Sequence, residues 1–218
     1  MKKLTIVFCA ALAAIAFIGL AGYASMPPPS TPDSPVIERS LNAVVVLKSG
    51  NSFGAGVVVS EDGVIVTNAH VARLNPPTAR FRDGTVLPVK IEFISDNGAD
   101  IALLRVDPPR PLEFVEIRKA PILVGEEVFA VGHPLGLEWV ISWGHVSAIE
   151  RVLNGAGGGT EDDPVVLLDV TTAPGNSGGG LFDTSGRLIG LPNAAVRGYP
   201  IGIAVSNSTI CKLVSCSA

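Results

Sequence analysis

The sequence predicts an all-β protein, two six-stranded antiparallel β-barrels followed by a short C-terminal helix. Three observations lead there. From residue 42 onward, short runs rich in Val, Ile and Leu alternate with Gly, Pro, Asn and Asp, the pattern of strands punctuated by turns. Segments with the 3.6-residue apolar period of a helix are almost absent before residue 206. Pro108, Pro109 and Pro111 interrupt the pattern midway and part the strands into two groups, 42–107 and 112–205.

The first group holds predicted strands at 43–47, 56–60, 64–68, 86–94 and 101–106. The second holds 127–132, 140–149, 165–170, 187–191 and 201–205. The helix candidate is 206–214, with Ser206, Asn207 and Ser208 available as caps. Residues 155–163, Gly-rich and then acidic, read as a mobile surface loop.

Ahead of the strands, Lys2 and Lys3 precede an uncharged apolar run at 4–24. A basic start, an apolar stretch and small residues near Ala24 spell a secretory signal peptide. The run is also long enough to cross a bilayer, which takes roughly 20 apolar residues, so an uncleaved membrane anchor is the competing reading. Both place the remainder outside the cytoplasm, periplasmic or secreted. Residues 25–41, with five prolines between 27 and 35, predict a semi-rigid linker. The folded domain is expected over 42–218.

The formal charge of −4 and the lack of a Lys/Arg cluster beyond the leader exclude a phosphate-binding stripe, and with it a nucleic-acid partner. Cys9 lies in the leader. Cys211 and Cys216 are either free or locally paired, and a helix continued through 216 turns them apart by about 500° of rotation. His70, His133 and His145 lack the short i, i+4 spacing of a helical metal site, so neither metal nor cofactor is expected.

The densest chemical signal is Pro174-Gly175-Asn176-Ser177-Gly178-Gly179-Gly180. A serine between glycines can take unusual backbone angles and project its Oγ into a cleft. The amides of Gly175 and Ser177 would be the donors of an oxyanion hole. Read alone, the segment is equally a Gly-rich turn. Serine needs a base, usually a histidine oriented by a carboxylate. His70 follows a predicted strand and precedes Val71-Ala72, at a strand end where a cleft opens. His133 sits in a Pro/Gly-locked turn, a structural position, and His145 follows Trp143-Gly144 as a packed or surface residue. Asp100 opens the apolar run 101–104 and can accept an imidazole N–H, whereas Asp96 belongs to a turn. The order His70, Asp100, Ser177 is that of chymotrypsin-like proteases.

With those residues in place a resemblance emerges. Thr67-Asn68-Ala69-His70-Val71, Ala99-Asp100-Ile101-Ala102-Leu103-Leu104 and Gly175-Asn176-Ser177-Gly178-Gly179 resemble the catalytic motifs of trypsin-like proteases of the HtrA/Deg type. Phe53-Gly54-Ala55-Gly56 is similar to that family's first hairpin. The segment Ala130-Val131-Gly132-His133-Pro134-Leu135-Gly136-Leu137 is similar to its Gly-Asn-Pro-Phe-Gly turn, with His133 in place of Asn. The resemblance spans about 43–207 and implies a chymotrypsin-like fold with His70, Asp100 and Ser177 as triad. It implies a relative lacking the family's PDZ domain, because the sequence stops at Ala218, and the Pro-rich start carries over no trimerisation segment.

The position six before the nucleophile, which floors the primary pocket in trypsin-like enzymes, is Thr171. Thr172, Ala194 and Gly202 are the expected neighbours, with Asp169 about 7 Å along the strand. The expected activity is a serine endopeptidase cutting unfolded or exposed protein segments after small or medium uncharged residues. Its partners are then protein or peptide substrates, with a membrane tether through 4–24 as an option and oligomeric state open. The competing readings are a chaperone-like or binding protein on a protease fold, and an esterase. The esterase is disfavoured because no βα alternation surrounds the serine motif, as the strand–turn–helix elbow of that class would require.

Overall fold

The computed structural model describes residues 33–150, 159–214 and 216. The leader or anchor at 1–24 and residues 155–158 of the predicted loop lie outside the described residues. Among the described residues no helix is long and apolar enough to cross a membrane.

The predicted linker over 25–41 differs from the structure in its second half, where helix α1 spans Ser34–Ala43. Pro35 falls in its first turn, where a missing N–H breaks no helical bond. Ser40, Leu41 and Ala43 are buried, so α1 is part of the packed domain. The proline content concealed a helix that begins at Ser34 and takes the last of the five prolines into its first turn.

The first lobe comprises β1 (Val44–Ser49), β2 (Ser52–Val58), β3 (Val64–Thr67), a one-turn helix α2 (Ala69–Ala72), β4 (Thr78–Arg80), β5 (Val86–Pro88), β6 (Lys90–Ile94) and β7 (Ala102–Arg105). Its strands form one seven-stranded sheet in the order β5-β4-β1-β2-β3-β7-β6, antiparallel throughout. The two edge strands, β5 and β6, are separated in sequence by Val89 alone, so the sheet curls until its edges meet in one bent strand. The single run predicted at 86–94 is that bend. Pro88 has no N–H for a ladder, which is why the run breaks there. The first lobe thus differs from a six-stranded barrel closed by hydrogen bonds: the chain itself joins its edges.

The second lobe is a closed six-stranded barrel, ordered β10-β13-β12-β11-β8-β9. Its strands are β8 (Glu127–Gly132), β9 (Val140–Glu150), β10 (Val165–Leu168), β11 (Gly180–Asp183), β12 (Leu188–Ala195) and β13 (Gly202–Ser206), with a 3₁₀ turn at Pro134–Gly136. Strand alternation lets β8 serve two cores. Val128 and Ala130 point into the barrel with Val166, Leu168, Leu181 and Ile189. Phe129 and Val131 face the other way, into a continuous core with Val45, Val57, Ile65 and Leu104 of the first sheet. This shared core fixes the two lobes against one another, and the site lies at their seam.

Helix α3 (Asn207–Ile210) is capped by Ser206, whose Oγ accepts the Ser208 N–H at 3.3 Å. It is shorter than the predicted 206–214. The turns that follow bring Cys211 and Cys216 to a Cα separation of 5.5 Å, and a disulfide joins them.

Candidate active site

Strand β3 delivers its C-terminal end to the seam and passes through Asn68 into α2, whose second residue is His70. Asp100 arrives from the lead-in to β7, which pairs with β3, so the two side chains meet because their strands are neighbours. Asp100 grips His70 twice. Its Oδ1 accepts the His70 backbone N–H at 2.9 Å and its Oδ2 faces the ring Nδ1 at 2.7 Å. Asn68, fully buried, donates from Nδ2 to the Asp100 carbonyl at 2.9 Å. Burial alone would push the Asp100 carboxyl up. The His70 ring, the His70 N–H and the Asn193 side chain together outweigh that and hold it below the usual carboxylate value.

Ser177 comes from the other lobe, in the loop between β10 and β11. Its carbonyl accepts the Ala55 N–H at 2.8 Å, tying the loop to β2. That approach requires Gly178: at φ +79°, a Cβ there would run into the Ala55 carbonyl and the Thr67 hydroxyl. Ser177 Oγ donates to the Asn193 carbonyl over 3.4 Å. Asn193 therefore bridges the site, with its side chain on Asp100 and its carbonyl on Ser177. No local motif marks Asn193, because its role comes from contacts with Asp100 and Ser177, both distant in sequence.

A family model of the trypsin-like peptidase domain matches residues 54–191, which contain all three of these residues. The chain belongs to the trypsin-like peptidase family. It is 36% identical over 169 residues to Protease Do-like 1, chloroplastic, of Arabidopsis thaliana, covering 73% of this chain and 38% of that protein. It is 39% identical over 140 residues to Serine protease HTRA1B of Danio rerio, covering 63% and 29%. To a Probable periplasmic serine endoprotease DegP-like of Brucella suis it is 37% identical over 169 residues, covering 74% and 32%. The chain thus spans less than two fifths of the length of these relatives.

In this trypsin-like peptidase domain the backbone before Ser177 is anchored peptide by peptide. The Pro174 carbonyl accepts the Leu135 N–H at 2.8 Å, and the Gly175 carbonyl accepts the His133 N–H at 3.3 Å. The Asn176 N–H is used by the Ala173 carbonyl at 3.0 Å. A trans peptide sets its N–H opposite its C=O, so fixing the Pro174 carbonyl on Leu135 turns the Gly175 N–H to the other side. Gly175 itself sits at φ +101°, where a Cβ would strike the His133 carbonyl and the Phe53 ring.

Of the predicted pocket residues, Thr171, Thr172 and Gly202 line a cavity of about 150 Å³ together with Asp169, Val170 and Ala195. Ala194 does not line it and pairs with Ile203 in the barrel wall; its neighbour Ala195 takes that place. Asp169 is engaged by His145, whose backbone N–H donates to Oδ1 and whose Nδ1 lies 3.4 Å from Oδ2. His133 is fully buried, and its Nδ1 accepts the Trp139 N–H at 3.0 Å. Among the described residues, no group of three or more His, Cys, Asp or Glu is placed to hold a metal ion.

Proposed function

We propose that this domain is a serine endopeptidase with His70, Asp100 and Ser177 as its triad and the Gly175 and Ser177 amides as its oxyanion hole. The observation that carries the reading is the double hydrogen bond of Asp100 to His70, with Ser177 held beside it through Asn193. A carboxylate on Nδ1 selects the tautomer that leaves Nε2 as the base. Ser177 Oγ rotates from the Asn193 carbonyl to His70, gives Nε2 its proton and attacks the scissile carbonyl. The C–O bond forms as the carbonyl π pair moves to oxygen, and the Gly175 and Ser177 N–H groups receive that charge. His70 then protonates the leaving amine as the C–N bond breaks, and water hydrolyses the acyl-enzyme by the same steps. Asp100 stays ionised and stabilises the imidazolium.

A small cavity lined in part by Thr171 and Thr172, with the Asp169 carboxylate occupied by His145, supports cleavage after small or medium uncharged residues. A peptide library dominated by Lys or Arg at the cleaved position would remove this part of the proposal. Substrates are unfolded or exposed protein segments. The apolar run at 4–24, together with the word periplasmic in the name of the Brucella relative, supports export, as a released or tethered protein. Casein hydrolysis by the purified protein, abolished in Ser177→Ala, is the expected result. Holdase activity surviving in Ser177→Ala without hydrolysis in the parent would favour a chaperone-like protein instead.

A further inference from the structure

The proposed chemistry needs the Gly175 N–H free, and the group that aims it lies outside the triad. Leu135, which holds the Pro174 carbonyl, has φ +55° and is 74% exposed. A leucine in solvent does not keep a left-handed backbone unless its neighbours impose it. Trp139, four residues on, is also left-handed at φ +52°. The strained turn 133–139 is closed across its base by His133. Its Nδ1 accepts the Trp139 N–H at 3.0 Å, its carbonyl accepts the Gly136 N–H at 3.1 Å, and its own N–H reaches the Gly175 carbonyl. The indole of Trp139 lies edge-on to the imidazole at 5.3 Å, and its Nε1–H is fixed on the Val44 carbonyl at 2.8 Å.

Resting on the proteolytic reading above, we infer that His133 is a positioning residue for the oxyanion hole. Its unprotonated Nδ1 accepts the Trp139 N–H and so keeps the strained turn shut. Leu135 then holds the Pro174 carbonyl, and the Gly175 N–H stays turned toward the substrate. The role belongs to the neutral ring, because imidazolium carries N–H at both nitrogens and cannot accept. Burial is the strongest influence on the ring and keeps its pKa below the ordinary 6.5. The Val45 carbonyl and Glu138 favour the charged form and Arg80 opposes it. Arg80 is itself paired with Glu138 and stacked 5.3 Å from the Trp139 ring centre, while residues 174–176 bring no titratable side chain. A histidine whose folded value is lowered stabilises the fold fully above its unfolded value, and that stability is lost as pH falls below it. Acid therefore opens this turn. Asparagine at 133 can accept without titrating, whereas leucine cannot accept.

The test compares the full chain with His133→Asn and His133→Leu, by steady-state cleavage of a peptide p-nitroanilide and by NMR hydrogen exchange of the Leu135 amide. Oxyanion contacts strengthen only in the transition state. His133→Leu should therefore lower kcat about 10- to 100-fold with KM within about twofold, and His133→Asn should restore kcat to within about threefold. The Leu135 amide, on an exposed residue, should be protected in the parent near neutral pH and lose that protection on acidification. His133→Asn should retain it. Unchanged kcat and Leu135 protection in His133→Leu would overturn the inference, as would equal losses in both variants. Should His133→Leu fail to fold, the parent and His133→Asn decide alone: an identical acid response of the Leu135 amide contradicts the role, and loss only in the parent supports it. A parent showing no Ser177-dependent cleavage ends the proteolytic reading, while the exchange data still decide whether His133 holds the turn.

Discussion

His70 and Asp100 stand just beyond the paired ends of adjacent strands of the first sheet and are joined by two hydrogen bonds, whereas Ser177 hangs in a loop of the second barrel with its Oγ on the Asn193 carbonyl. The first pair is placed by strand register: β3 and β7 are neighbours, so the residues at their ends meet. Ser177 is placed by backbone geometry instead, through Gly175 and Gly178 at positive φ and carbonyls anchored on Leu135, His133 and Ala55. The proposed base thus sits at a strand end of the sheet, and the proposed nucleophile and its oxyanion donors depend on loops supported from outside. Substitutions in the His70–Asp100 pair should mainly remove chemistry, and substitutions in the loops that hold Ser177 in place should mainly remove alignment.

The largest effect that would sharpen this contrast is expected from Asp100→Asn. It keeps the shape and exchanges an acceptor for an amide, so the tautomer of His70 is no longer enforced, and kcat should fall about 10⁴-fold with little change in thermal stability. A loss below tenfold would show that register alone positions the base. Next comes Gly178→Ala, which forces a Cβ at φ +79° into Ala55 and Thr67. A destabilisation of about 3 kcal/mol is expected, read from urea unfolding, and a neutral result would show that the loop yields freely. Asn193→Ala should be the mildest, because it removes one hydrogen bond to a carboxylate, and kcat should drop about tenfold. Its signature is in pH. Asp100 is held ionised partly by Asn193, and a lowered carboxylate pKa gives stability that is lost as pH falls through the folded value. Removing Asn193 raises that value, so acid inactivation, followed by activity after brief acid exposure, should set in at higher pH than in the parent.

The division between lobes also explains what could be read from sequence. His70, Asp100 and Ser177 were legible because each lies beside a strand end or a glycine cluster that leaves a local trace. β4 was not, since three residues between Pro77 and the turn at Asp83-Gly84 carry too little pattern to separate from loop. β11 was hidden behind the glycines of the serine motif, although Leu181 and Phe182 are fully buried. Asn193, the bridging residue, and Leu135, whose backbone aims a peptide, act through contacts between segments far apart in sequence. The Cys211–Cys216 pairing turned on where α3 ends, a four-residue decision made by packing, since Thr209 and Ile210 are buried and the turn begins at Cys211.

The most direct measurement is covalent labelling of the full chain with a fluorophosphonate, followed by mapping of the modified peptide. A triad working as described puts the label on Ser177, loses it completely in Ser177→Ala and slows it by orders of magnitude in Asp100→Asn. Label on another residue, or undiminished labelling in Ser177→Ala, would contradict the account.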